Sequence, residues 1–334
     1  RCAMHFVIIT FVGCLLGRIA AGWSAVMLVD MNSGGLLKCP GCGSPESRRH
    51  RWLSCLPIRC DCQARPVRWH IAATLGRGGL FLGFSWLVLQ ATCQSVHEVR
   101  PDVPLLYLRL PFHLTLIFLL WVATLTDLLD YVIPDEVIYS GIVIALVASV
   151  TSGDLQMMHL WVNWDDAVPG LRGPLIPDWI KGYHRLHGLA WSTAGLLTGA
   201  SLTWLVRWVS HRILGYPALG FGDVTLMAMV GAFIGWQATL CVLAISPLAG
   251  IIIGMLVRLL TGRNFVAFGP YLASSAVLVM AAWRWLWADL LTVRDIFSHW
   301  PSVVGLIAFS FAVLCGLLFL LRIFRALPTE RLRR

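Results

Sequence analysis

The stretch that decides the fold class is DVTLMAMVGAFIGWQATLCVLAISPLAGIIIGMLVR, residues 223–258, which has no charged side chain between its two end residues. A helix needs about 20 predominantly apolar residues to cross the hydrocarbon core of a bilayer. The stretch is therefore long enough for two crossings, and Gly235 lies where a break between them is expected. It predicts two consecutive transmembrane helices.

The rest of the sequence has the same apolar character. Of its 334 residues, 58% are apolar and 13% are charged, and soluble globular chains carry about twice that charged share. This composition excludes a disordered protein and argues against a single soluble core. We expect an all-α polytopic membrane protein with about 8–9 transmembrane helices. The expected spans lie near residues 5–29, 78–94, 105–126, 136–152, 188–207, 223–237, 239–258, 267–288 and 302–321.

The charged residues are interpreted as orientation signals. The net charge is +9, but Lys occurs only twice and Arg is clustered beside apolar runs. This pattern favours a lipid bilayer as the partner and argues against nucleic acid. With nine spans, basic segments and acidic or mixed segments fall on opposite sides of the membrane. The basic segments are 30–77, 207–222, 258–266 and the C-terminal tail, and the acidic or mixed segments are 95–104, 153–187 and 289–301.

The positive-inside rule then fixes the predicted orientation. It places the basic set in the cytoplasm, together with residues 127–135 and the C-terminus. The N-terminus is expected outside, and residues 153–187 form an external loop. The first apolar run is expected to be a retained span, because it has no clear small-residue cleavage site of the kind that ends a signal peptide.

Five of the ten cysteines cluster in the basic segment 30–77. Cys39-Pro-Gly-Cys42 is a tight knuckle of the zinc-ribbon type, in which two thiolates can grip one tetrahedral ion. Cys60-Asp-Cys62 is the natural second pair, although it is one residue shorter than CxxC, and Cys55 could replace one of these ligands. We expect structural zinc, because a cytoplasmic segment is reducing; disulfides and free thiols are the alternatives. Four thiolates leave no open position on the metal for catalysis.

The stretch TDLLDYVIPD, residues 126–135, contains the first carboxylate of interest. Asp127 ends a long apolar run, where a carboxylate is costly at membrane depth. Pro134 is expected in the first turn of the next helix, with Asp135 and Glu136 at the positive end of its dipole. The helix dipole therefore explains why acidic residues stand at positions 135 and 136. No such structural role explains the carboxylate of Asp127.

The second carboxylate of interest follows two glycines in Gly220-Phe221-Gly222-Asp223. Asp223 could serve only as a helix N-cap. The predicted topology, however, places Asp127 and Asp223 at one face of the membrane on different spans. Two carboxylates that share a site titrate separately, so one can act as a base on water while the other, protonated, polarises a carbonyl. That is the chemistry of an aspartic protease.

Two other kinds of chemistry are alternatives to an aspartic protease. The sequence contains neither GxSxG nor HExxH, and its histidines lack ligand spacing. A transporter or channel could use Asp127 and Asp223 as ion ligands or proton carriers. The sequence offers no pair of interrupted apolar segments in corresponding halves, which weakens the transporter hypothesis.

Together these elements resemble the type IV prepilin peptidase family, the membrane aspartic proteases with a GxGD motif. TDLLDYVIPD and LGFGDVTLMAMVGAFIGWQA resemble its two catalytic segments, and FVAFGPYLA, residues 265–273, resembles its later FGP element. The cysteine segment resembles the cytoplasmic zinc-binding insert of the long, bifunctional members. The expected organisation is a first span at 1–29, the insert at 30–77, a membrane aspartic peptidase domain at 78–288 and an extra span with a basic tail at 289–334.

The resemblance implies a function, a location and a site. Asp127 and Asp223 would be the catalytic pair, with Gly220, Gly222, Pro134 and Asp135 as supporting motif residues. The enzyme would sit in the bacterial inner membrane and cut the basic leader from prepilins or pseudopilins just after a glycine, at the cytoplasmic face. Many members then methylate the new N-terminus with S-adenosylmethionine, using the cytoplasmic insert.

The sequence also departs from the family's usual pattern. Thr225 stands where the family commonly has Lys, and Pro217 stands where Glu is frequent. GRIAAGW, residues 17–23, replaces the usual Gly-Ser-Phe-Leu-Asn run. The methyltransferase activity is therefore an open expectation. A third hypothesis follows, in which the chain has lost catalysis and serves as an assembly factor.

Overall fold

The computed structural model is helical almost throughout the residues that it describes. These residues are 8–17, 19–20, 37–38, 45–46, 67–96, 98–99, 103–162, 176–216, 219–261 and 268–326. The helices are α1 (Ile8–Gly17), α2 (Val67–Leu89), α3 (Val103–Asp130), α4 (Asp135–Ser152), α5 (Asp178–Gly182), α6 (His184–Leu214), α7 (Phe221–Thr261), α8 (Gly269–Ala281), α9 (Leu291–Ser298) and α10 (Trp300–Ala326). A short π-helix, Trp285–Asp289, precedes α9. Two-residue strands β1 (Leu37–Lys38) and β2 (Pro45–Glu46) pair antiparallel.

The helices confirm an all-α polytopic membrane protein. Within the described residues, five helices are long and apolar enough to cross a membrane, namely α3, α4, α6, α7 and α10. Shorter apolar helices are α1, the Thr74–Leu89 part of α2, and α8. The structure differs from expectation at α2, which begins at Val67 inside the segment expected to be polar, and at α6, which is longer than its expected span.

The predicted break at Gly235 is confirmed. Gly235 interrupts α7 with φ 77° and ψ 170°, outside the helical region. A positive φ is a conformation that residues with a Cβ rarely adopt and that glycine adopts readily. The indole of Trp191, which is 0% exposed, covers this position so closely that a Cβ at residue 235 would collide with it. The run at 223–258 therefore forms two helical parts that meet at Gly235.

The connections between helices gather at two opposite ends. At one end, which we call the aspartate end, α3 finishes near the start of α8: the Gly269 amide donates to the Asp127 carboxylate, 3.0 Å. At the far end, Gln237 Nε2 donates to the His159 carbonyl, 2.8 Å, and the Arg284 amide donates to the Cys93 carbonyl, 2.7 Å. Segments 127–135 and 207–222 thus lie opposite 95–104 and 153–187 in their described parts. Which end faces the cytoplasm stays a prediction.

The closest helix crossing joins α6 and α7 through small residues. A Cβ at Gly195 would strike the Gly231 carbonyl, and a Cβ at Gly231 would strike the Gly195 carbonyl. One turn away, a Cβ at Gly199 would strike the Met227 carbonyl. Ser192 Oγ donates to the Ala232 carbonyl across the same interface, 2.7 Å. Small residues let two backbones approach within a membrane, where packing and hydrogen bonds hold helices together.

We therefore expect Gly195→Leu to destabilise the protein by about 3 kcal/mol or more, because the new side chain meets backbone that cannot move aside. The matched control is Gly316→Leu on α10, where a Cβ would have nothing within 4 Å. Thermal unfolding of the two purified variants in detergent measures the difference. Equal melting temperatures for both variants would contradict this packing.

Candidate active site

Asp127 is held at the junction of α3 and α8. It lies in the last turn of α3, is 6% exposed, and accepts the Gly269 amide through Oδ2 at 3.0 Å. Gly269 is the first residue of α8. The free amides and the dipole at a helix N-terminus favour a negative group there. This contact explains how a carboxylate can be kept at the end of an apolar helix.

The backbone just after Asp127 adopts an unusual conformation. Tyr131 has φ 57°, in the left-handed region, and its amide donates to the Asp127 carbonyl at 3.1 Å. Such a residue commonly ends a helix, but the position is usually taken by glycine or asparagine. A non-glycine residue in this region costs about 1–3 kcal/mol. The turn redirects the chain from α3 into residues 132–134.

Asp223 is the third residue of α7 and is 8% exposed. Its Oδ2 accepts the Gly220 amide at 2.9 Å. Gly220 directly precedes the helix, so Asp223 makes the reciprocal half of a capping box, in which an N3 side chain reaches back to the N-cap amide. Asp223 is therefore not the N-cap residue itself. Its carboxylate is fixed on the side of the helix where the chain enters.

Ile133 packs between the two segments that carry the aspartates. A Cβ at Gly222 would lie 3.2 Å from Ile133 Cβ, and a Cβ at Gly269 would lie 3.4 Å from Ile133 Cδ1. The start of α7 and the start of α8 therefore both contact the short connection that follows α3. Asp127, bound by the first residue of α8, and Asp223, in the first turn of α7, are therefore both positioned around Ile133. The structure brings together the two aspartates that the sequence singled out.

The supporting motif residues have distinct positions. Gly220 supplies the amide that binds Asp223, and Gly222 contacts Ile133. Pro134 is buried but has extended backbone, φ −68° and ψ 130°, and directly precedes α4, so its expected place in the first helical turn was wrong by one residue. Asp135 is exposed in the first turn of α4, where it fits the helix dipole.

Arg207 is the residue near the site that the sequence did not single out. Its guanidinium donates through Nη1 to the carbonyl of Leu219, which directly precedes Gly220, the residue whose amide binds Asp223. In the sequence, Arg207 is one of several basic residues that indicate the orientation of the chain. The available signal was its register: Arg207 continues a four-residue spacing from Gly195, Gly199 and Thr203 along one face of α6.

Other titratable groups lie elsewhere. His187 and His159 are at the far end, where His187 Nε2 accepts the Leu160 amide at 3.0 Å and His159 Nε2 lies 3.2 Å from the Glu98 carbonyl. Among the described residues, no group of three His, Cys, Asp or Glu side chains could hold a metal ion. The described cysteines are free thiols, as expected for packing residues: Cys14, Cys93, Cys241 and Cys315. The predicted zinc ligands Cys39, Cys42, Cys60 and Cys62, and Cys55, lie outside the described residues.

Comparison with known proteins gives a consistent result. The model of the type IV leader peptidase family matches residues 178–255, which include Gly220, Gly222 and Asp223. A prepilin leader peptidase/N-methyltransferase of Pseudomonas aeruginosa is 33% identical over 274 residues, covering 81% of this chain and 69% of that protein. The protein of the same name from Pseudomonas putida is 28% identical over 272 residues, covering 74% and 78%.

Another relative matches over a shorter region. The prepilin leader peptidase/N-methyltransferase of Aeromonas salmonicida is 33% identical over 128 residues, and the chain spans 41% of that protein's length. No solved structure matches the chain.

The contact between Asp127 and α8 can be tested without any assay of activity. A Cβ at Gly269 would collide with Asp127 Oδ2, so Gly269→Ala should displace the carboxylate and break its hydrogen bond. Loss of a buried hydrogen bond of this kind costs about 1–3 kcal/mol. We expect Gly269→Ala to melt at a lower temperature than the control Gly79→Ala. Gly79 also lies in a helix, but a Cβ there would have no other atom within 4 Å. Unfolding curves that coincide would show that Gly269 does not hold Asp127.

Proposed function

The chain belongs to the type IV leader peptidase family, and on that premise we propose that it is a membrane aspartic endopeptidase. Its substrates are type IV prepilins or pseudopilins, from which it removes the basic leader just after a glycine. The observation that carries the proposal is the meeting of Asp127 from α3 and Asp223 from α7 at one end of the helices. Buried carboxylates within a membrane protein are costly and mark functional sites.

The arrangement supports hydrolysis by an activated water. One carboxylate, ionised, takes a proton from water while the oxygen of that water bonds to the carbonyl carbon of the scissile glycine. The other carboxyl, protonated, gives its proton to the carbonyl oxygen. The tetrahedral intermediate then collapses as the C–N bond breaks. The leaving nitrogen takes a proton from the first carboxyl, and the second carboxylate takes back a proton from a hydroxyl of the intermediate as its C=O bond re-forms. Both carboxyls return to their starting states.

The substrate's position follows from the charge of the two ends. We place the aspartate end at the cytoplasmic face of the bacterial inner membrane, with the N-terminus of the chain outside and its C-terminus inside. The apolar stem of a prepilin would then lie in the bilayer among the helices. Its basic leader would lie on the cytoplasmic side, beside segment 126–135, which carries Asp127.

We further propose that the cysteine segment is a structural zinc unit, which fits a second activity on the new N-terminus. The relatives from Aeromonas and Pseudomonas are named as N-methyltransferases as well as peptidases. Strands β1 and β2 pair Leu37 with Glu46 and Lys38 with Pro45, so the described residues on either side of the Cys39 and Cys42 pair are neighbours. A CxxC pair is a common half of a structural zinc site. Cys39, Cys42, Cys60 and Cys62 would hold the metal, and S-adenosylmethionine would supply the methyl group.

Substitution of the aspartates tests the peptidase proposal. Asp127→Asn and Asp223→Asn should each reduce leader cleavage by about 10³-fold or more, since each removes a group that transfers a proton. The measurement is the gel shift of a prepilin on coexpression with the full chain. The control is Asp178→Asn, an exposed carboxylate at the far end that pairs with Lys181. Normal processing by both aspartate variants would refute this function and leave the transporter or assembly-factor hypothesis.

Metal analysis tests the zinc proposal separately. The purified chain should carry about one zinc ion, and the double variant Cys39→Ser, Cys42→Ser should lose it. Cys315→Ser, which removes a free thiol in α10, should keep the metal. Less than a tenth of an equivalent of zinc in the unmodified protein would exclude a structural zinc unit.

A further inference from the structure

We propose that Arg207 is a positioning residue of the aspartate pair: it holds the turn before Asp223 and keeps Asp223 as the ionised member. Asp223 is then the base that activates water, and Asp127 is the acid that protonates the scissile carbonyl. This assignment of roles rests on the proposed function and goes beyond it, because the pair alone does not say which carboxyl carries the proton.

The first argument is a chain of contacts from α6 to the carboxylate. Arg207 Nη1 donates to the Leu219 carbonyl. Leu219 is joined to Gly220, and the Gly220 amide donates to Asp223 Oδ2 at 2.9 Å. The position of the amide that binds Asp223 is therefore set by a peptide unit that Arg207 holds. A guanidinium is a rigid planar donor, and the bond to Leu219 uses only part of its five N–H groups.

The second argument is the register of the two helices. Gly195 faces Gly231, and Gly199 faces Met227, so a step of four residues along α6 matches a step of four back along α7. Continued in the same direction, the register sets residue 203 opposite Asp223 and Arg207 opposite Leu219. The observed bond from Arg207 to Leu219 agrees with this continuation. The close crossing of α6 and α7 therefore places the guanidinium of Arg207 beside the turn that precedes α7.

The third argument is the distribution of charge around the two carboxylates. Each carboxylate accepts one backbone amide at a helix start, Gly269 for Asp127 and Gly220 for Asp223, so these bonds do not distinguish the two groups. Among the described residues, the cation bonded to the turn that binds Asp223 is Arg207, through the Leu219 carbonyl. An opposite charge favours the ionised form of a carboxyl, and a like charge disfavours it. When the pair holds one proton, that proton therefore resides on Asp127.

Arg212, on the same helix, differs from Arg207 in its exposure and in its contacts. It is exposed, and its guanidinium lies 5.1 Å from the centroid of the Trp208 ring. Arg207 is half-buried instead, forms no ion pair within 4 Å among the described residues, and bonds to the turn before Asp223. A half-buried charge in an apolar helix is costly, and its effect on Asp223 offsets part of that cost. Arg212 thus provides the matched control.

The assigned roles can be measured without cleavage. Dicyclohexylcarbodiimide reacts with protonated carboxyls in apolar surroundings, and mass spectrometry of peptides can follow its reaction with Asp127 and Asp223 separately. In membranes that contain the full chain, we expect Asp127 to be labelled up to a higher pH than Asp223. Arg207→Gln should extend the labelling of Asp223 to higher pH by about one unit or more. Arg207→Lys should stay near the unmodified protein, and Arg212→Gln should coincide with it.

A second readout uses the enzyme activity. Arg207→Gln should lower kcat for leader cleavage by about 10-fold or more, with KM little changed, and should move the acidic limb of the pH profile to higher pH. Arg207→Lys should recover most of the rate, which a role in folding alone would not predict. A variant with unchanged kcat and an unchanged profile would overturn the role of Arg207.

The outcomes separate this inference from the function on which it rests. Normal cleavage by the Asp127 and Asp223 variants would refute the peptidase, whatever the labelling shows. Identical labelling of Asp223 in Arg207→Gln and the unmodified protein would refute the inference while leaving the peptidase intact. Preferential labelling of Asp223 over Asp127 in the unmodified protein would also refute the inference. This test needs no variant, so its result does not depend on how well a variant folds.

Discussion

The close antiparallel approach of α6 and α7 is the contact on which the rest of the structure depends. Gly195 and Gly231 touch through backbone atoms, and no side chain larger than hydrogen fits at either position. Without water to drive helices together inside a membrane, such packing and the bond from Ser192 to Ala232 set their separation and register. The position of the first turn of α7, which carries Asp223, therefore depends on this crossing.

That crossing has two chemical consequences. It sets Arg207 of α6 against the turn that precedes Asp223, where its guanidinium bonds to the Leu219 carbonyl. It also sets the start of α7 against Ile133, which contacts the start of α8 as well. The amide of Gly269 can then bind Asp127. Two carboxylates nearly 100 residues apart in sequence become neighbours because three helix starts and one helix end converge.

Much of this architecture could be predicted from particular residues. The uncharged run at 223–258 predicted two helical parts, and Gly235 breaks α7 where expected. Asp127 and Asp223 stood out because carboxylates beside apolar runs are costly and other acids had simpler explanations. Pro134 was misplaced by one residue, since its fixed φ suits both a helix start and the extended residue before it. Arg207 was missed because a basic residue near the end of a span also satisfies the orientation rule.

The amino-acid sequence is enough to predict a helical membrane protein, the break at Gly235, and the two carboxylates that need a functional explanation. These properties depend on composition and spacing along the chain, because a span must match the bilayer thickness and satisfy its own backbone hydrogen bonds. The contact of Arg207 with the turn before Asp223 and the bond from Gly269 to Asp127 appear only in the folded structure. Those pairings depend on the register between helices, which is set by close packing of small residues and not by any pattern within one helix.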